Sequence, residues 1–152
     1  VSRVIPALAG ALVERWSALP LVVELKVDVR RGLPVDGIGA RDMVLVEFDG
    51  DPDSRENSSY VHDWLDMACT RRREQGEIRC TAVSQTGDTD IGRMSERAGR
   101  LAAACQDDLT ADITAGGIVW TCSITQGAAQ QVKNDRGVAV IIPFVVAYAA
   151  PA

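Results

Sequence analysis

The chain is poor in the residues that usually do chemistry. Among 152 residues there is one histidine, His62, and aromatic residues make up only 5%. A Ser-His-acid triad would need His62 beside a nucleophile and an orienting carboxylate. Ser58 and Ser59 are near it in sequence, but there is no GxSxG turn. Read alone, His62 is a surface or packing residue. The four cysteines, Cys69, Cys80, Cys105 and Cys122, form no CxxC or other close zinc pair. Cys80, Cys105 and Cys122 fall on apolar phases and read as small core residues. Cys69 and Cys80 could face each other across a hairpin, which permits a disulfide without indicating one. No glycine-rich loop has the GxGxxG or GxxxxGK[ST] pattern that cradles phosphate. No apolar run approaches the roughly 18 residues of a membrane span. The opening stretch reaches Glu14 and Arg15 too early for a signal peptide. It reads instead as an amphipathic helix of a cytoplasmic protein. Basic charge is not in excess either: the formal net charge is −5, which argues against a nucleic-acid binder. The one dense basic run, Arg71-Arg72-Arg73, is followed by Glu74 and Glu77 and reads as a solvated turn or a protein contact.

What is present is material for a framework. At 47% hydrophobic, the chain can bury a real core, and its length suits a single structural domain, residues 1–152. Ile5, Leu8, Leu12 and Trp16 recur at spacings of three and four and predict a helix over 3–18. Ser2 can cap it, Pro6 falls in its first turn, and Pro20 stops it. Alternation predicts a strand over 21–29, with a loop rich in glycine after it. MVLVEF, 43–48, is apolar on both faces and suits an inner strand. Residues 49–59 read as an exposed loop. The stretch 60–73 fits either a helix or a strand. Pairing with a strand over 76–84 through the linker Glu74-Gln75-Gly76 favours a strand at 63–72.

A second helix is predicted over 88–111, capped by Asp88 or Thr89, with Ile91, Met94, Ala98, Leu101, Cys105 and Leu109 as its buried stripe. A strand over 118–126 should bury Ile118, Trp120, Cys122 and Ile124. Residues 127–137 read as a projecting loop. The last strand, 137–148, carries Val138, Val140, Ile142, Phe144, Val146 and Tyr148 on one side, and Pro143 places it at an edge or a bulge. The fold class is α+β, a mostly antiparallel sheet with two helices packed on it.

Two acidic patterns invite a metal. Asp49, Asp51 and Asp53 alternate, as oxygen ligands of a hard cation can, but the further ligands and terminal Glu of an EF-hand are missing. Asp88 and Asp90 are explained by helix capping. Glu24-Leu25-Lys26 on a strand, with Asp53, has the form of a metal-dependent nuclease site, in which carboxylates hold Mg²⁺ and a lysine stabilises charge. Asp53 comes later in the chain than the usual order, and a wet strand face yields Glu-x-Lys readily by chance.

In order and texture the chain resembles the tail terminator (minor tail, head–tail joining) proteins of long-tailed bacteriophages, especially those infecting actinobacteria. The resemblance runs from RVIPALAGALVERW through MVLVEFDGDPD, EIRCTAVSQTGDTD and ERAGRLAAACQDDL to GGIVWTCSITQGAAQQVKNDRGVAVIIPFVVAYAA, nearly the whole chain. SQTGDTD before a helix and the NDRGVAVIIPFVVAY ending are its most characteristic parts. LVVELKVDVRR, 21–31, departs from it in being longer and more charged.

The resemblance implies a tail-terminator-like fold and a hexameric ring at the head-proximal end of the phage tail. That ring ends tail-tube polymerisation and gives the neck a docking surface. It implies a virion structural protein, assembled in the host cytoplasm, that is not an enzyme and has no catalytic, cofactor-binding or metal residues. Its partners would be further copies of itself, the tail tube protein and a head-completion or neck protein. Genomic DNA would only pass through the lumen, and no membrane would be involved. Loops 49–59 and 127–137 are candidate axial contacts. The rival readings are another head–tail connector or head-completion protein, the small nuclease above, and a small stress or ligand-binding domain.

Overall fold

The computed structural model describes residues 2–32, 42–51, 53, 56–85, 90–134 and 137–152. Pro34, Gly37 and Gly39 of the expected loop, and the expected caps Asp88 and Thr89, lie outside the described residues. The described residues form an α+β fold, a mixed and mostly antiparallel sheet with helices packed on one face. The elements run α1 (Val4–Ser17), α2 (Pro20–Glu24), β1 (Asp28–Arg31), β2 (Met43–Val46), β3 (Ser58–Trp64), β4 (Arg72–Ser84), α3 (Ile91–Ala111), β5 (Thr121–Gln126), β6 (Gln130–Asn134) and β7 (Gly137–Pro151).

The sheet is organised around two long strands. β4 and β7 pair antiparallel over twelve positions, from Arg73 opposite Pro151 to Ser84 opposite Val140. On the far side of β4 lie β2 and β3, one beyond the other. On the far side of β7 lie β5 and β6, likewise in line. β1 adds to β2 in the only parallel pairing among the described strands. Because side chains alternate across a strand, Val140, Ile142, Phe144, Val146 and Tyr148 face the helices. Leu8, Leu12 and Trp16 of α1, and Met94, Leu101 and Cys105 of α3, close that core. The Trp16 and Phe144 rings meet edge to face at 5.8 Å between centroids. Met43, Leu45, Phe48, Val83, Ala139 and Ile141 form a second, smaller cluster on the opposite face.

Several expectations are corrected. The segment 21–29 is mostly helix and turn, and a strand begins only at Asp28. Pro20 ends α1 but opens α2, where its fixed φ and missing N–H suit the first helical position. Lys26, at φ 54°, then turns the chain into β1. The fold thus has a third, short helix. The strand before β4 is 58–64 rather than 63–72, and the turn is 65–71 rather than 74–76. Asp66 builds that turn: its Oδ1 accepts from the Thr70 amide at 2.9 Å, and Leu65 N donates to Arg71 O at 2.9 Å. Gly76 is mid-strand. Residues 118–120 precede β5 instead of belonging to it, and Trp120 is 46% exposed while Val119 is buried. Much of the expected loop 127–137 is β6.

Pro143 lies neither at an edge nor in a bulge of its own strand. Its carbonyl accepts from Gly127 N at 2.7 Å. In an antiparallel ladder a residue's N–H points the same way as its C=O, so the missing donor falls at the 127–129 corner between β5 and β6. There it costs no ladder bond.

Other expectations agree with the structure. α1 and α3 lie where the periodicity puts them, and Ser2 Oγ accepts from Ile5 N at 3.0 Å, as a capping side chain should. α3 is capped by Asp90, whose Oδ1 accepts from Arg93 N at 3.3 Å.

Candidate interaction edges and a buried carboxylate

The polar centre of the molecule is Glu74, 1% exposed. Its position follows from the pairing. Glu74 lies opposite His62 of β3 on one side and Ala150 of β7 on the other. Two residues along β4, Gly76 lies opposite Tyr148. A Cβ on Gly76 would come within 2.6 Å of Tyr148 Oη and 2.5 Å of Ser59 O. The bare glycine therefore lets the phenol lie across β4 and reach Glu74.

Three donors converge on this carboxylate: Tyr148 Oη at 2.6 Å, Ser2 Oγ at 2.7 Å and His62 Nε2 at 2.7 Å. Arg72 approaches His62 Nδ1 at 3.3 Å. A guanidinium only donates, so Nδ1 accepts and Nε2 carries the proton given to Glu74. Burial on its own would raise the Glu74 pKa, but the hydrogen bonds from Ser2, Tyr148 and His62 outweigh it and hold the carboxyl below its ordinary value. Burial, with the Glu74 charge beside it, pushes the Tyr148 phenol up. The network ties the N-terminal segment, β3, β4 and β7 together at one point.

His62 is thus a structural donor within the sheet. Ser58, the nearby hydroxyl, donates to Glu47 Oε1 at 3.1 Å instead. Sequence reasoning placed both Glu74 and Gly76 in a hairpin linker. The legible clue was a glycine two positions from a glutamate in an otherwise strand-like stretch.

Among the described residues, four strands pair on one side only, β1, β3, β5 and β6, and two of them carry exposed apolar side chains at or beside them. β3 pairs only with β4, and β5 only with β7. β3 and its turn carry exposed Tyr60, Val61, Trp64, Leu65 and Met67, with Trp64 51% exposed. Unpaired strand edges with apolar side chains are ready sites for another chain. The arginine run lies at the end of this edge. Arg72 stacks over Trp64 at 5.2 Å, Arg73 holds Asp63 through two bonds of 3.1 and 2.6 Å, and Arg71 approaches Asp66 at 3.5 Å. At the start of β5, exposed Ile113 and Trp120 flank an acidic corner where Arg15 bridges Asp108 and Asp112, each at 3.1 Å. Hydrogen bonds from Thr114 and Gly116 hold the Asp112 carboxyl down at about 2.

The structure separates the residues of the nuclease reading from their expected setting. Glu24 ends a helix and Lys26 occupies a left-handed turn, so the two do not share a strand face. Asp53 is exposed, with its amide donating to Asp51 Oδ1 at 2.9 Å, and Asp51 N donates likewise to Asp49 Oδ1 at 2.9 Å. The alternating aspartates thus bond to their own loop backbone. No group of three or more His, Cys, Asp or Glu among the described residues could hold a metal ion. Cys69 is exposed in the turn while Cys80 is buried opposite Val46 and Phe144, so the pair is not bonded. Burial pushes the Cys80 thiol up to about 12, which suits an inert core residue. No helix among the described residues is long and apolar enough to cross a membrane.

No protein-family model matches the chain, and no curated protein matches it either. Among solved structures, the chain is similar to one from the "Virion of native gene transfer agent (GTA) particle". The TM-score is 0.61, the identity 15%, and the match covers 100% of both chains. At that identity the likeness is one of fold.

Proposed function

We propose that the chain is a structural subunit of a tailed-phage-like particle, and that copies of it form the ring that ends the tail tube and receives the neck. The observation that carries this reading is the end-to-end fold match to a chain of a gene transfer agent virion. The match runs over all of both chains. The exposed apolar side chains at the β3 and β5 edges support it further. A ring needs a heterologous interface whose rotation closes on itself, and that requires two unlike surfaces on each copy. In this reading the chain is not an enzyme. Glu74 and His62 serve the sheet, and the particle's DNA only passes the lumen.

The test is the mass of the purified protein, alone and with tail tube protein, followed by electron microscopy of the tubes. A ring-sized species seated at one end of short tubes is expected. A second reading, another head–tail connector component, draws on the same match, whose description names a particle and not a position in it. A dodecamer, or binding to the portal in place of the tube, would decide for it.

A further inference from the structure

Of the strands paired on one side only, β3 and β5 are suited to meet each other. β3 runs antiparallel to β4, β4 to β7, and β7 to β5. Within one copy, β3 and β5 therefore point in opposite directions. A neighbouring copy in the same orientation offers its β5 antiparallel to β3, with both helix-bearing faces on the same side. The lengths agree, seven residues against six.

The ends agree too. At the start of β5, Trp120 N bonds Ala149 O at 2.9 Å beside Thr121, which also lies opposite Ala149, so Trp120 bulges out of the ladder there. Trp64 ends β3 and Trp120 immediately precedes β5, and these are the two ends that meet when the strands pair antiparallel. All the exposed large apolar side chains except Val23 and Val138 lie on these two edges or in the segments adjoining them. Their charges are opposed. Arg71, Arg72 and Arg73 outnumber Asp63 and Asp66 at the β3 end. Asp107, Asp108 and Asp112 outnumber Arg15 at the β5 end.

We infer that consecutive copies of this chain join edge to edge, β3 of one pairing antiparallel with β5 of the next and Trp64 packing against Trp120. The inference rests on the ring reading and supplies its contact between subunits. A two-fold pairing of β3 with β3 would close after two copies and leave Trp120 bare.

Cross-linking tests it. In a Cys69→Ser background the remaining native thiols are buried. Trp64→Cys and Trp120→Cys are introduced together or singly, and a short bismaleimide is added to the protein alone and on tail tubes. The doubly substituted chain should give a ladder of multimers. Mixing the two single variants should give dimers only, and each single variant alone should give none. Trp64→Glu should weaken assembly by roughly tenfold or more, with an unchanged far-UV spectrum. Dimers from Trp64→Cys alone would overturn the inference in favour of two-fold pairing. Rings or capped tubes that fail to cross-link would overturn it and leave the ring reading standing. A chain that stays monomeric and leaves tubes uncapped would overturn both.

Discussion

The inner strands and the outer strands of this sheet are made of similar residues put to different uses. β4 and β7 bury Ile78, Cys80, Ala82, Phe144 and Val146 between sheet and helices. β3 and the approach to β5 hold Val61, Trp64 and Trp120 out in solvent. Apolar area removed from water stabilises a fold by roughly 25 cal/mol per Å². The inner residues make that contribution within one chain, whereas the outer ones make it only when a second chain arrives. The comparison teaches that folding and assembly draw on separable sets of residues.

The inner set should fail first and most severely. Phe144→Ala, which empties the space against Trp16, should cost about 3–5 kcal/mol, read from chemical denaturation. Glu74→Ala should cost about 2–3 kcal/mol, because buried hydroxyls of Ser2 and Tyr148 lose their acceptor. The same carboxylate sets an acid limb. Its folded pKa is below that of the unfolded chain, which lies at about 4.3. Its contribution is complete above that value and is lost as the pH falls through the folded pKa. Glu74→Gln should flatten that limb in a denaturation series below pH 5 (roughly the upper end of the transition). Gly76→Ala should cost about 1–3 kcal/mol, since the new methyl must displace Tyr148 or the Ser59 carbonyl. The smallest effect on stability belongs to the outer set. Trp64→Ser should change it by less than about 0.5 kcal/mol while weakening assembly by roughly tenfold. If Trp64→Ser unfolded the chain as Phe144→Ala does, the division between the two sets would not hold.

How much of this was legible in the sequence follows the same division. β7 and α3 were readable because burial on one face imposes a strict period on long segments. β4 and β3 were readable as a hairpin but not in register. Gly76 reads as a turn glycine when only local chemistry is considered, and the reason for it, the Tyr148 ring, is 72 positions away (|i−j| for Gly76 and Tyr148 from their pairing). The turn was built by Asp66, whose signal is ordinary. α2 escaped because five residues are too few to show a helical period, so Val23 and Leu25 passed for alternation. Pro143 was readable as a missing donor, yet where that donor falls depends on the corner at Gly127. Glu74 could not be recognised as a hub from the sequence, since its partners come from residues 2, 62 and 148.

The most direct measurement is the mass of the protein mixed with tail tube protein, with images of the tube ends. A closed ring of copies seated on one end, stopping further growth, is the expected result. A stable lone monomer that leaves tubes free to lengthen would contradict it.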